Sequence, residues 1–250
     1  MDITEATTPT SGVSERKGRR AGGRSPWRGA ALWSVAVGAA LLAMAVPRLE
    51  VEIAAQLARP AVLAAEDGHL VPAGELSMAA RRLDEVAQGN LSARVHEDAG
   101  RAWTMLALYD GVQTSEGQEH LAAAAASLRA SVALAPAAPY VWSRLTYAEY
   151  ARNHLREAAA AWRMSSLTGR FDPELMERRM QSGFALWPYM ELDAREEFGR
   201  ALDTHWRWDA ARLARSVERL GMAAVAQRAL AGHPDAAADL ERRLASRPAR

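Results

Sequence analysis

Six histidines, His69, His96, His120, His154, His205 and His233, are the side chains with which this chain could bind a metal or move protons near neutral pH. A helical metal site needs two such ligands about one turn apart on one face, and no two of these histidines stand that close. Each reads as a turn or surface residue. With no cysteine there is no thiolate ligand, no catalytic thiol and no disulfide. The stretch ELDAREE, residues 191–197, gathers carboxylates, but their place suits a helix start, where acids meet the positive dipole end. There is no glycine-rich phosphate loop, HExxH, GxSxG or acidic calcium loop. No catalytic residue, cofactor or metal is expected, and the chain does not read as an enzyme. In DTHWRWD, residues 203–209, Arg207 could stack on a tryptophan as a binding patch. The same residues suit a helix end with Trp206 or Trp208 docked in the core.

Binding chemistry is written more plainly in YVWSRLTYAEYARNHLREAAAAWRM, residues 140–164. At about 100° per residue, Trp142, Leu145, Thr146 and Glu149 fall on one side of a helix, and Tyr140, Tyr147 and Tyr150 on another. A tyrosine face serves equally as a wet contact surface for a ligand or as packing against a neighbouring element.

The elements that hold these residues are helices. Ala, Leu, Arg and Glu dominate, isoleucine occurs only at Ile3 and Ile53, and no run alternates β-branched residues. From Glu75 onward, helical stretches are separated at Gly89-Asn90, Gly111 to Gly117, Pro136 to Pro139, Asn153-His154, Gly169 to Pro173, Pro188, Gly221 and Gly232 to Pro234. Trp142, Leu145, Thr146, Glu149, Asn153, Ala158 and Trp162 stand at spacings of +3, +4, +7, +11, +16 and +20. The pattern returns sixty-eight residues on, at Leu213, Ala214, Val217, Gly221, Ala226 and Leu230. Trp103, Leu106 and Ala107, followed by Ala124, Leu128, Ser131 and Pro136, fit an earlier copy if five extra residues lengthen the turn at GVQTSEGQE.

This spacing resembles the tetratricopeptide repeat, whose period is about 34 residues. The likeness covers residues 97–232 and implies antiparallel helix pairs stacked as an all-α solenoid. It implies Trp142 as an intra-repeat plug with Trp162 opposite it, and a chain reversal near Asn153. Between 176 and 209 the pattern weakens: Arg179 stands where leucine belongs, and Phe198 comes two places late. Glu149 replaces a usual tyrosine, Ser165 a usual alanine, and the closing proline is delayed to Pro173. A helical bundle without repeats is the other arrangement open to the sequence. In the resembled family the first helix of each pair lines the binding groove. Tyr140, Tyr147 and Tyr150 would then form its centre, flanked by Arg101 and Thr104 before them and Glu177 and Gln181 after.

Between Arg28 and Arg48 no residue is charged, and Gly29 to Val46, at 1.5 Å per residue, would span roughly 27 Å, about one hydrocarbon core. Six of the 31 basic residues precede this run, and Arg48 is followed by Glu50 and Glu52, which places the N-terminus in the cytoplasm. Ala43-Met44-Ala45 offers a signal-peptidase site as the alternative, opposed by the length of the run and by Pro47. The organisation expected is a disordered basic tail over 1–27, a transmembrane helix over 28–47, a connector over 48–74 broken at Pro60 and Pro72, and a helical domain over 75–250. The near-neutral body argues against nucleic acid, and no small-molecule substrate is expected. The function expected is that of a single-pass scaffold of the bacterial cytoplasmic membrane. Its extracytoplasmic body would bind a protein partner in a cell-envelope assembly, the resemblance suggesting polysaccharide biosynthesis or secretion. A carbohydrate-binding module using the tyrosines, or a non-repeat accessory subunit of a membrane complex, are the alternatives.

Overall fold

The structure, a computed structural model, describes residues 26–88 and 92–246. The basic tail through residue 25 and the Gly89-Asn90 break lie outside them. Every regular element among the described residues is helical: α1 (Pro26–Glu66), α2 (Ala73–Ala87), α3 (Ala93–Asp110), α4 (Ser115–Leu134), α5 (Pro139–Ala151), α6 (Leu155–Thr168), α7 (Pro173–Leu186), α8 (Leu192–Leu220), α9 (Ala223–Ala229) and α10 (Pro234–Ala245). The chain divides after Pro47 into an N-terminal unit and a body. In the N-terminal unit the apolar residues Trp33, Val35, Leu41, Leu42 and Met44 are all exposed, Trp33 to 74%. Among the described residues, one helix, over Trp33–Glu66, is long and apolar enough to cross a membrane.

Helix α1 does not break at Pro60. An interior proline removes a backbone donor and crowds the carbonyl four residues back. Pro60 faces outward, while Ala54, Ala55, Ala58 and Val62 are buried on the other face. Their packing against Leu76, Leu83, Val95 and Ala102 holds the helix on both sides of the ring. Residues 51–66, expected as a connector, are thus part of the first core. The helix stops where Gly68 takes φ +81° and the His69 amide donates to the Ala64 carbonyl at 2.9 Å.

Successive helices then pack in pairs: α3 on α4, α5 on α6, α7 on the start of α8, and the end of α8 on α9 and α10. The expected chain reversal after α5 is made by Asn153 at φ +61°, in the left-handed region that asparagine tolerates. The five extra residues upstream lengthen the start of α4 rather than a turn. Residues 111–114 alone join α3 to α4, and α4 begins at Ser115, nine residues before Ala124, whereas α6 begins at Leu155, three before Ala158. One further join has no loop at all: α8 runs for 29 residues through Asp209, whose φ −155° and ψ +89° are extended. The Asp209 carboxylate accepts from the Arg212 amide at 2.8 Å and so starts the helix anew.

The two tryptophans of residues 140–164 belong to different cores. Trp142 packs at the edge of a middle cluster of Leu128, Val132, Val141, Leu145 and Ala148, only partly buried, its Nε1–H donating to the Pro136 carbonyl at 2.8 Å. Trp162 is 1% exposed and faces onward, with its ring edge-on to Phe198 at 5.5 Å and its Nε1–H donating to the Arg179 carbonyl at 2.8 Å. It therefore joins two pairs and is no partner to Trp142. Gly183 makes this core possible, since a Cβ there would lie 2.4 Å from the Phe198 ring.

Candidate functional site

The tyrosine face of α5 is at the surface. Tyr140, Tyr147 and Tyr150 keep 37%, 38% and 46% of their area exposed, while Val141, Leu145, Ala148 and Glu149 on the same helix are buried. The Tyr140 hydroxyl donates to Glu174 on α7 at 2.9 Å, and this bond, helped by Asp172, pushes its pKa up to about 12. Partial burial also raises Tyr147.

The flanking residues are placed differently from the expectation. Thr104 is buried, its hydroxyl returned to the Gly100 carbonyl at 2.7 Å. Arg101 pairs with Glu66 and lies 3.5 Å from Asp98. Arg101 is withdrawn from the rim because residues 51–66 fold onto α3 and bring Glu66 to it. Glu177 faces α8, where it accepts from Ser216 at 3.1 Å and Arg219 at 3.0 Å. Gln181 remains exposed, its amide donating to Glu177 at 3.2 Å. The residue that sequence reasoning missed is Arg144, one turn from both Tyr140 and Tyr147. It reaches Glu66 at 2.7 Å and Glu97 at 3.9 Å, so an ion-pair cluster borders the tyrosines on the α1 side. Its place on the tyrosine side of the helix was the available signal.

The departures from the repeat pattern turn out to be paired. Glu149, 1% exposed, holds Arg129, Arg152 at 3.1 Å and the His154 ring at 3.1 Å, tying the α5–α6 turn to α4. Ser165 accepts from the Arg179 Nε–H at 3.0 Å and donates to the Pro139 carbonyl at 2.9 Å. A buried arginine in place of leucine is matched by a serine in place of alanine, because an unpaired buried guanidinium is far costlier than either exchange.

Two grooves open beside these elements. One of about 490 Å³ lies between α4, α5 and α6, lined by Val132, Trp142, Leu145 and Met164, so the Trp142 side of α5 is also incompletely covered. The other, of about 650 Å³, is bordered by Phe171, 77% exposed, and Trp208, 50% exposed, with Arg200, Asp203, Thr204 and Arg207. The stretch 203–209 therefore divides. Trp206 docks by donating to Asp239 on α10 at 2.9 Å, whereas Trp208 stays in the groove with the Arg212 guanidinium 5.4 Å from its ring centre.

Fold and surface together define an all-α protein of successive helix pairs preceded by a helix long and apolar enough to cross a membrane. No protein-family model matches the chain, and no curated protein matches it.

Proposed function

We propose that this is a single-pass membrane protein whose body, built of helix pairs resembling tetratricopeptide repeats, holds a protein partner beside the membrane. The observation that carries the reading is the tyrosine face of α5, kept over a third exposed at three positions where burial was equally open to it. Aromatic anchors in a polar surround supply most of the affinity at protein interfaces. Here the surround is Arg144 and Glu97 on one side and Glu174 on the other. The basic residues ahead of the apolar run favour a cytoplasmic N-terminus and an extracytoplasmic body, as in bacterial envelope assemblies for polysaccharide synthesis or secretion.

An aromatic photo-crosslinking residue at position 150 of the full chain in membranes tests the site. It should capture a discrete partner that the same residue at exposed Leu167 on α6 does not. Tyr147→Ala should weaken capture by about 1–4 kcal/mol with the unfolding transition unchanged. Loss of capture only in proportion to loss of folded protein would refute the reading. Orientation is checked by a reporter active only outside the cytoplasm, fused after Arg250, which should be active.

A second reading, a saccharide-binding envelope module, draws on the Phe171–Trp208 groove, whose two aromatic faces and polar Asp203, Thr204 and Arg207 suit stacking on a sugar. Trp208→Ala should then abolish glycan retention while leaving crosslinking at 150 intact.

A further inference from the structure

Between α6, α7 and α8 lies a small, partly enclosed cavity of about 20 Å³, lined by Ser166, Arg170, Arg179, Phe198 and His205 among others. Three of these residues each keep one buried nitrogen without a protein partner: Arg170 Nε, Arg179 Nη2 and His205 Nε2. Arg179 and His205 are themselves 4% and 1% exposed. Buried donors of this kind are almost always satisfied, so three around one cavity mark a place built for an occupant.

Charge decides what that occupant is. Arg179 makes no ion pair with any described carboxylate, and its other nitrogens go to neutral oxygens, Ser165 Oγ and the Gly169 carbonyl. Two carboxylates act on these guanidinium groups: Asp172, which attracts Arg179 through space, and Glu197, fully buried and shared between Arg170 at 3.2 Å and Arg200 at 2.8 Å. Burial also keeps His205 neutral, its pKa lowered, so its ring can offer Nε2–H without adding charge. The cavity is thus lined by three residues with an unpartnered nitrogen each and by the apolar Met180, Phe198 and Leu202, and the three guanidinium charges of Arg170, Arg179 and Arg200 stand against the two carboxylates. A water would satisfy the hydrogen bonds and leave the charge buried. A monovalent anion offsets both. The volume admits one particle of water or halide size and excludes sulfate or phosphate.

We propose that this cavity is a structural site for a halide-sized anion, chloride by its chemistry, accepting from Arg170, Arg179 and His205 and locking α6, α7 and α8 together. The site is independent of any partner bound on α5.

The test uses the full chain in detergent, unfolded by heat in sodium chloride, sodium bromide or sodium gluconate at equal sodium concentration. The unfolding midpoint should rise with chloride and bromide to a plateau and stay flat with gluconate. Arg179→Leu, the residue that the repeat spacing calls for, should fold and lose the halide rise. Arg170→Gln, at a more exposed guanidinium, should shift the chloride concentration at half-rise at least tenfold upward, and it decides the matter if Arg179→Leu does not fold. Superposed chloride and gluconate curves in the unaltered chain would show that water alone fills the cavity. A full halide rise surviving in Arg179→Leu, or in Arg170→Gln when Arg179→Leu does not fold, would place the site elsewhere. Either result overturns the proposal.

Discussion

Trp162 and Trp142 stand twenty residues apart in like helical settings, yet their surroundings assign them unlike energies. Trp162 is enclosed by Met180, Phe184 and Phe198 and has its ring nitrogen satisfied, so Trp162→Ala should cost about 3–5 kcal/mol in a denaturant melt. Trp142 borders a groove, and Trp142→Ala should cost roughly 1–2 kcal/mol, chiefly a hydrogen bond and part of a face. Equal losses would contradict the division of the cores. His205 makes a second residue-scale prediction. Burial holds its imidazole below the ordinary 6.5, against the opposing pull of Glu177 and with Arg212 reinforcing it. The folded chain therefore keeps the ring neutral while the unfolded chain takes up a proton. The stability this contributes is present above about pH 6.5 and drains away as pH falls through that value. In halide-free buffer, stability should decline from about pH 7.5 to 5.5, and His205→Gln should flatten that decline. The tyrosine face was legible because position on a helix follows from spacing alone. The polar cores at Glu149 and Arg179 were not, since each depends on a partner twenty or fourteen residues away whose approach only the packed helices determine.

Among the elements, helix boundaries from Glu75 onward were largely readable, because Gly111, Asn153, Gly221 and the prolines each impose a local geometry that needs no tertiary context. Pro60 was misleading for the same reason: its local preference is to end a helix, and burial on the opposite face overrode it. What fastens that face includes a buried ion pair, Arg59 Nε to Asp98 at 2.5 Å, with Glu52 at 3.4 Å from the same guanidinium. Asp98→Ala would leave Arg59 buried beside apolar surface, and a loss of about 3 kcal/mol is expected. The lost contact should free residues 51–66 first, seen as early proteolytic cutting near exposed Leu57 and Leu63. Unchanged resistance there would show that apolar packing alone retains the segment.

Among the described residues of the body, most buried apolar side chains fall into three clusters, each built from helices adjacent in the chain. Stability in such an arrangement is close to a sum over neighbours, so damage should stay local. Amide hydrogen exchange in Asp98→Ala should quicken in α2 and α3 and remain as before in α8 to α10, whereas acceleration throughout would mean one cooperative core. The join at Asp209 sets a different kind of limit. At the other boundaries between pairs, short loops such as 135–138 or 169–172 offer places where recombination could add or delete a unit without disturbing the helices on either side. At Asp209 one extended residue serves as the whole connection, and the helix it interrupts belongs to both pairs. The last two pairs therefore form one unit for any rearrangement: the array can be lengthened or shortened ahead of Pro173, but a cut at Asp209 would leave a helix without its own beginning.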